Sequence, residues 1–195
     1  MSESTLRFLQ HENARLQDEN KLLKEENLSL HRYLGAVKEL YAAAQRLESV
    51  EHPFDLLDEL LYKTIEVIGA NDGSISRLDP ITGELVFVLV HGDIQQELRG
   101  YRIKGDVGIA GWVVNQREPL IVNNPRQDWR FSLKVDEEFE FFTRSIMCAP
   151  LLVQDELIGV IQLLNKRGDE FTETDMILLS LLSQVAAKVL AAVPA

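Results

Sequence analysis

Ile146-Met-Cys-Ala-Pro-Leu-Leu-Val153 and Leu157-Ile-Gly-Val-Ile-Gln-Leu-Leu164 are two apolar runs separated only by Gln154-Asp155-Glu156. A short apolar run bounded by turn residues is typical of a strand, and two such runs joined by a tight turn predict a β-hairpin. A sheet is therefore the first element that this sequence predicts.

The segments on either side of the hairpin extend it into an α+β domain. After it, Thr172 is placed to cap a helix from Glu173 to about Val193. Before it, the patterns predict a helix at 54–68, a hairpin of strands at 74–78 and 84–90, a strand at 101–104, a short helix at 109–114 and a strand at 119–122. This order predicts one mostly antiparallel sheet with helices packed on it. The polar segment Asn123–Phe142 is long for a loop, which favours a functional lid or disorder.

Residues 1–50 carry a different pattern, a seven-residue repeat. Asn13, Asn20 and Asn27 recur at position a, and leucines such as Leu16, Leu23 and Leu30 recur at position d. Asn at a fixes the register of a parallel dimeric coiled coil, because each amide can bond to its twin. We expect a coiled-coil helix at 1–50 and a folded domain at 51–195. An antiparallel bundle and a helix that needs another partner remain alternatives.

The charge and hydropathy of the chain limit the kinds of partner that it can bind. The net charge of -11 and the sequence pI near 4.8 argue against nucleic acid and anionic membranes as partners, because both attract basic surfaces. No apolar run approaches a membrane span, and Met1-Ser-Glu-Ser lacks the features of a signal peptide. We expect a cytoplasmic protein that binds neither membrane nor nucleic acid.

Catalytic chemistry is poorly represented in the sequence. The single cysteine, Cys148, lies within an apolar strand, where a thiol is usually inert packing. No metal-ligand or Walker motif occurs, and the glycines at 105, 108 and 111 lack the βαβ context of a dinucleotide site. The N-terminus of the helix after them can still offer backbone N–H groups to a phosphate. We therefore expect no enzyme, no metal and no required cofactor.

The motifs Gly108-Ile-Ala-Gly-Trp-Val-Val, Pro119-Leu-Ile-Val-Asn, Thr143-Arg-Ser-Ile-Met-Cys-Ala-Pro-Leu and Leu157-Ile-Gly-Val-Ile-Gln-Leu-Leu-Asn-Lys resemble a GAF domain. The resemblance covers about residues 51–193 and is closest to the GAF domains that regulate cyclic-nucleotide phosphodiesterases and some adenylyl cyclases. Their N-K-F-D-E signature is matched by Asn165, Lys166, Phe171 and Asp175, with Met176 in place of the Glu. The resemblance implies that Lys166 and Asp175 form an ion pair that supports a lid over a ligand.

The same resemblance implies a set of ligand-binding positions. They comprise strand residues, backbone donors at the short helix and lid residues: Ser74, His91, Ile109, Ala110, Asp136, Phe139, Thr143 and Gln162. His91, Phe139 and Gln162 depart from the family pattern, where acids or a Thr stand. A small anion such as a cyclic nucleotide is the implied ligand.

These features predict a non-enzymatic sensory module that binds a small ligand, forms a homodimer and passes its signal to an unidentified partner protein. The alternative is a structural or interaction module whose pocket is plugged by Phe139, Phe141 and Phe142. A methionine-sulfoxide reductase on this fold is a third hypothesis. The single cysteine argues against it, since that reaction needs one thiol to attack the sulfoxide and another to resolve the product.

Overall fold

The structure is a computed structural model and describes residues 3–46, 51–93 and 95–192. Its elements follow in chain order: α1 (Glu3–Arg46), α2 (Pro53–Ile68), β1 (Asp72–Leu78), β2 (Glu84–His91), α3 (Gln95–Leu98), β3 (Arg102–Lys104), α4 (Gly108–Gln116), β4 (Leu120–Val122), a 3-10 turn (Pro125–Gln127), α5 (Lys134–Glu138), β5 (Ile146–Val153), β6 (Glu156–Leu164) and α6 (Glu173–Ala192).

The six strands form one antiparallel sheet in the order β3-β2-β1-β6-β5-β4. The apolar hairpin β5–β6 supplies two neighbouring strands, with Ile146 opposite Leu164 and Val153 opposite Glu156. Gly159 lets β6 lie against β1, because a Cβ there would stand 2.0 Å from the carbonyl oxygen of Ser76. The α+β class predicted from the sequence is confirmed.

The sheet has a helix face and a lid face. On the helix face, α6 packs against β5 and β6, and α2 packs against α6 and β1. On the lid face, α4 packs against β5 and β6, with Ile109 and Val113 buried against Cys148 and Val160. Residues of β6 alternate between the faces because successive side chains of a strand point in opposite directions. Any site on the lid face is therefore built from alternate strand residues.

By length and composition, helix α6 is long and apolar enough to cross a membrane. From the sequence we had expected no apolar run of that length. Its apolar side chains are used within the fold, since Leu178, Leu179, Leu182 and Leu190 are almost completely buried. A helix that is apolar on most sides is also what the core of a globular domain requires. Packing on the sheet and on α2 thus accounts for its composition.

The described chain divides into two compact units, with the break between Gly35 and Ala36. Helix α1 runs without interruption through this break. Its last residues, 36–46, belong to the same unit as the sheet, and there Leu40 and Ala43 are buried. Glu39 forms an ion pair with Lys63 of α2 at 3.1 Å. The predicted boundary at residues 50 and 51 and the predicted helix end at Val193 adjoin or lie in segments outside the described residues.

Some elements differ from the predicted pattern. The polar segment 123–142 contains the 3-10 turn and α5, and α3 was not predicted. These are short helices of three to five residues, whose formation depends on tertiary contacts because helix nucleation is costly. The other boundaries agree to within about two residues, which is the usual uncertainty of helix and strand ends.

Candidate functional site

A cavity of about 140 Å³ lies on the lid face of the sheet. Its floor is formed by β1, β2 and β6, one wall by the start of α4, and its cover by the lid, which we define as residues 123–143. A space of this size is comparable with the roughly 150 Å³ cavities that take up one aromatic ring. Its lining includes Asp72, Ser74, Phe87, Val90, Lys104, Ile109, Ala110, Phe131, Lys134, Asp136, Phe141, Thr143, Ile146, Gln162 and Leu164.

Ser74 and Gln162 form the polar part of the floor. They are direct partners in the pairing of β1 with β6, so their side chains leave the sheet on the same face. Gln162 is only 8% exposed and borders the cavity. Among the residues that the structure describes, no side chain or backbone group hydrogen-bonds to its amide. Since no buried side-chain nitrogen or oxygen of the described chain lacks a partner, the amide atoms of Gln162 are accessible from the cavity, where solvent or a ligand can bond to them.

The start of α4 supplies backbone donors to the wall. Gly108 has a φ of 74°, and a Cβ on Gly111 would lie 2.4 Å from the carbonyl carbon of Asp106. These glycines let the helix begin close to the preceding loop. A hydrogen bond runs from the N–H of Gly111 to the oxygen of Val107, and Val107 provides no side-chain cap. The N–H groups of the turn that holds Ile109 and Ala110 therefore lie where a helix N-terminus favours an anion.

A network within the lid is centred on Asp136, a carboxylate of α5 that is 6% exposed. Its Oδ1 accepts a hydrogen bond from the Thr143 hydroxyl at 2.6 Å, and its Oδ2 accepts one from the Thr143 N–H at 3.0 Å. Arg126 donates to the same Oδ2 at 2.9 Å, and its guanidinium lies 4.0 Å from the centre of the Phe142 ring. Asp136 and Thr143 thus bond to each other while both border the cavity.

The structure corrects the expected position of the His91 side chain. A β-bulge in β2 places one extra residue between Phe87, the partner of Ser76, and Leu89, the partner of Ile75. An extra residue reverses which side chains face which side of the sheet. His91 borders the cavity, but its Nε2 lies 3.1 Å from Asp58 Oδ1 of α2. The imidazole is therefore on the helix face, not beside Ser74 and Gln162.

The aromatic residues of the lid also differ from expectation. Phe139 packs against Tyr101 with ring centres 5.0 Å apart and an edge-on geometry, in the cluster that holds Phe87 and Val90, instead of lining the cavity. Phe142 is exposed beneath Arg126. Phe141 is the one residue of the predicted plug that lines the cavity. The plug of three phenylalanines that the alternative hypothesis requires is not formed.

Three charged residues at the cavity were not predicted from the sequence. Lys104 ends β3 and Lys134 begins α5, and neither ammonium group has a carboxylate partner within the described part of the chain. Asp72 begins β1, two residues before Ser74, so a period of two could have placed it on the same face. No local sequence pattern marks the two lysines, because Lys104 lies on the sheet and Lys134 on the lid, and only the tertiary fold brings both to the cavity.

Asp72 is 6% exposed, and burial raises its pKa. A hydrogen bond from the Asp93 N–H at 3.3 Å and one from Asn165 Nδ2 at 3.2 Å oppose this shift by stabilising the carboxylate. The cavity therefore combines a buried acceptor on its floor with two cations and a helix N-terminus at its edges.

The signature residues lie at one end of β6. The Asn165 amide accepts from Arg144 N–H at 2.7 Å and donates to the Phe142 carbonyl at 3.1 Å, which joins β6 to the end of the lid. Lys166 Nζ lies 2.5 Å from Asp175 Oδ2. Asn123 makes two hydrogen bonds to the backbone of Phe171, at 2.9 and 3.0 Å. These contacts hold the β6–α6 connection and both ends of the lid together.

The described residues were compared with the requirements of a metal site and of a reactive thiol. No group of three or more potential metal-ligating side chains occurs within residues 3–46, 51–93 and 95–192. Cys148 is completely buried, and burial raises the pKa of its thiol far above the ordinary value. Because the thiolate is the reactive form, this sulfur is poorly suited to nucleophilic attack.

An antiparallel sheet with α2 and α6 on one face and α4 with a lidded cavity on the other is an architecture that small-ligand sensing and regulatory domains share with some enzymes. The chain belongs to the GAF domain family, whose model matches residues 52–190.

Curated relatives with similar sequences are phosphodiesterases. The chain is 37% identical over 94 residues to the probable 3',5'-cyclic phosphodiesterase pde-5 of Caenorhabditis elegans, a match that covers 48% of this chain and 12% of the relative. It is 39% identical over 71 residues to the dual 3',5'-cyclic-AMP and -GMP phosphodiesterase 11A of Takifugu rubripes, covering 35% and 8%. The chain thus matches only about a tenth of the length of these relatives.

Solved structures share the fold at lower identity. The GAF domain of an Acinetobacter phosphoenolpyruvate-protein phosphotransferase has a TM-score of 0.66 at 20% identity and covers 80% of this chain and 93% of its own. The free methionine-R-sulfoxide reductase of Neisseria meningitidis, solved with its substrate, has a TM-score of 0.64 at 20% identity and covers 78% and 86%. At this level of identity the likeness extends to the fold alone, and the fold occurs in both regulatory domains and enzymes.

Proposed function

We propose that this protein is a non-enzymatic sensor whose GAF domain binds a small anionic ligand in the cavity under the lid. A cyclic nucleotide, which is larger than one aromatic ring, would need the lid to move outward from the arrangement that encloses about 140 Å³. The observation that carries the proposal is the Gln162 amide, which borders the cavity and has no hydrogen-bond partner among the described residues, so that it is available to a ligand. Lys104, Lys134 and the start of α4 favour the anionic group of such a ligand. The names of the phosphodiesterase relatives suggest cyclic AMP and cyclic GMP as the first candidates.

Calorimetric titration of the full chain with both cyclic nucleotides and with inorganic phosphate tests this proposal. A parallel thermal-shift series covers a wider set of small anions, because a ligand that binds the native state raises the melting temperature. We expect saturable binding to the wild type and weaker binding to Gln162→Leu. Gln116→Leu, the same substitution at an exposed residue of α4 that does not line the cavity, is the matched control and should bind as the wild type does. No thermal shift with any anion would favour the structural module instead.

We further propose that the protein is a homodimer held by a parallel coiled coil of α1. Leu16, Leu23 and Leu30 are 55%, 57% and 58% exposed, and Asn13, Asn20 and Asn27 are exposed beside them. A stripe of large apolar side chains left in water favours pairing with an equivalent helix. We also propose a cytoplasmic location, and the acidic composition disfavours binding to nucleic acid and to anionic membranes.

We also propose that the protein does not catalyse a reaction, and the basis for this is the number and burial of its cysteine thiols. Cys148 is the only cysteine of the chain and is inaccessible, whereas a reductase with attacking and resolving thiols needs two. Incubation with free methionine sulfoxide and a thiol reductant, followed by chromatography for methionine, tests it directly. Formation of methionine by the wild type, but not by Cys148→Ser, would overturn the non-enzymatic proposal.

A signal from the cavity would have to reach a partner protein. Helix α1 is the candidate route, because it continues without a break from the unit that contains the cavity into the unit that contains the heptads. Ligand-dependent capture of a second protein by the full chain, lost when residues 3–35 are deleted, is the expected result.

A further inference from the structure

A groove of about 170 Å³ lies between the end of α1 and α6, apart from the cavity and its lid. It is lined by two short stretches of helix, one on α1 (Val37, Leu40, Tyr41 and Ala44) and one on α6 (Leu181, Gln184, Val185 and Lys188). All of these residues belong to the unit that contains the sheet. Leu40 and Val185 are buried at its base, whereas the Tyr41 side chain is 68% exposed beside it.

The α1 residues of the groove form one hole of a coiled coil. In the heptad repeat that places Asn13 at position a, Val37 is at d, Leu40 at g, Tyr41 at a and Ala44 at d. In a parallel two-stranded coiled coil, a side chain at position a inserts into a hole made by four residues of the facing helix, at d, g, a and d. The four residues occupy these positions in order. The side chain that fits the hole is therefore Tyr41 of an equivalent helix.

Helix α6 adds a second wall to this hole. Its unburied side carries a series of residues in alternating steps of four and three, namely Ile177, Leu181, Gln184, Lys188 and Ala191. This spacing is that of a seam between packed helices. Three members of the series line the groove, so a helix seated there would contact α6 as well as α1, as in a helix bundle.

We infer that the groove receives Tyr41 of a second copy of this chain, so that α6 belongs to the dimer interface together with α1. The inference rests on the proposed parallel dimer and extends it. Two-fold symmetry forms the contact twice, because each copy offers one Tyr41 and one groove. The volume is comparable with the roughly 150 Å³ cavities that take up one aromatic ring, and the small side chain of Ala44 leaves room for it. Gln184 and Lys188 can bond to the phenol oxygen, which a buried tyrosine requires.

A substitution on α6 distinguishes this interface from a coiled coil confined to α1. Sedimentation equilibrium of the full chain measures the dissociation constant of the dimer. Leu181→Glu places a carboxylate in each groove and should raise that constant at least about tenfold, because burying an unpaired charge is costly. Ile81→Glu, a matched change at a residue of the β1–β2 turn that is 93% exposed, should leave the constant unchanged.

Cross-linking tests the geometry independently. Positions e and g of facing helices are neighbours in a parallel pair, which places Gln45 of one copy beside Leu40 in the groove of the other. A mixture of Gln45→Cys and Gln184→Cys chains, one of them carrying a size tag, should give a mixed covalent dimer with a short bismaleimide. A mixture of Gln45→Cys with Gln116→Cys, at an exposed residue of α4, should not. The buried Cys148 does not compete for the reagent.

The outcomes separate this inference from the proposed dimer. A monomeric wild type would overturn both. A dimeric wild type whose dissociation constant is unchanged in a folded Leu181→Glu would overturn the inference alone. If circular dichroism shows that Leu181→Glu does not fold, the cross-link between Gln45→Cys and Gln184→Cys decides. Its absence from chains that dimerise would show that α6 lies outside the interface.

Discussion

Asp175 Oδ2 lies 2.5 Å from Lys166 Nζ and also accepts hydrogen bonds from the N–H and the hydroxyl of Thr172, at 2.7 and 3.0 Å. Asp175 is fully buried, and Lys166 is 13% exposed. The Thr172 oxygen in turn accepts from the Asp175 N–H at 3.3 Å. This reciprocal arrangement caps α6 and ties it to the residue that follows Asn165 at the end of β6. One carboxylate thus serves both the helix cap and the ion pair.

The first prediction concerns this pair. Asp175→Ala should lower the free energy of unfolding by roughly 3–5 kcal/mol, because it leaves the ammonium of Lys166 largely buried without a partner and removes the cap. Urea denaturation followed by circular dichroism measures the change. Glu66→Ala, which breaks the exposed pair with Arg167, is the control and should cost under ~1 kcal/mol. Equal effects of the two variants would show that the Lys166–Asp175 pair does not stabilise the fold.

The second prediction concerns the lid. Thr143→Val removes the hydroxyl that donates to Asp136 and leaves a buried carboxylate with fewer donors. The loss of a hydrogen bond to a charged group should destabilise the internal structure of the lid by about 1.5–3 kcal/mol. We expect faster amide hydrogen exchange across residues 134–142. Thr174→Val, on an exposed position of α6, should leave that exchange unchanged, and slower or identical exchange in Thr143→Val would contradict the role of the network.

The third prediction concerns assembly. Light scattering of the full chain at micromolar concentration should give about twice 22.1 kDa. Replacing Asn13, Asn20 and Asn27 together by Leu should raise the melting temperature and allow larger oligomers, because the amides that restrict register and strand number are lost. Alanine at Asp18 and Glu25, on the outer heptad positions, should leave the dimer intact. A monomeric wild type would refute the coiled-coil dimer.

The fourth prediction concerns pH. Burial raises the pKa of Asp72 above its ordinary value of 3.8, so the folded state binds more protons than the unfolded state between the two pKa values. The contribution of Asp72 to stability should therefore fall as the pH rises from 3.8 through the folded pKa. Comparing wild type with Asp72→Asn by urea denaturation at pH 4 and pH 7 measures it. Relative to the variant, the wild type should be less stable at pH 7 than at pH 4; Asp106→Asn, at an exposed carboxylate, should not show this trend.

The fifth prediction concerns the thiol. Because burial raises the pKa of Cys148 and excludes solvent, the native protein should resist iodoacetamide at pH 8 and react only after unfolding. Mass spectrometry counts the adducts. Rapid labelling of the native chain, at a rate close to that of the unfolded chain, would show that the cysteine is accessible and would reopen the question of thiol chemistry.

The sequence by itself determined the class of the fold. The apolar runs of β5 and β6, the helical spacing of α2 and α6 and the turn between β1 and β2 are local patterns, and each gave the element that the structure contains. Ser74 and Gln162, which the family resemblance assigns to the ligand site, both border the cavity from regularly paired strands, and their part in binding stays a prediction.

Only the tertiary structure decided where the remaining site residues point. The extra residue between Phe87 and Leu89 reverses the alternation of β2, so His91 faces α2, and no composition or spacing in that strand announces the bulge. Phe139 packs against Tyr101, which lies 38 positions earlier in the chain, and does not line the cavity. Lys104 and Lys134 both border the cavity because the lid, which contains Lys134, covers the sheet to which Lys104 belongs. A local pattern fixes the period of an element, whereas contacts between distant segments fix which of its faces a given side chain occupies.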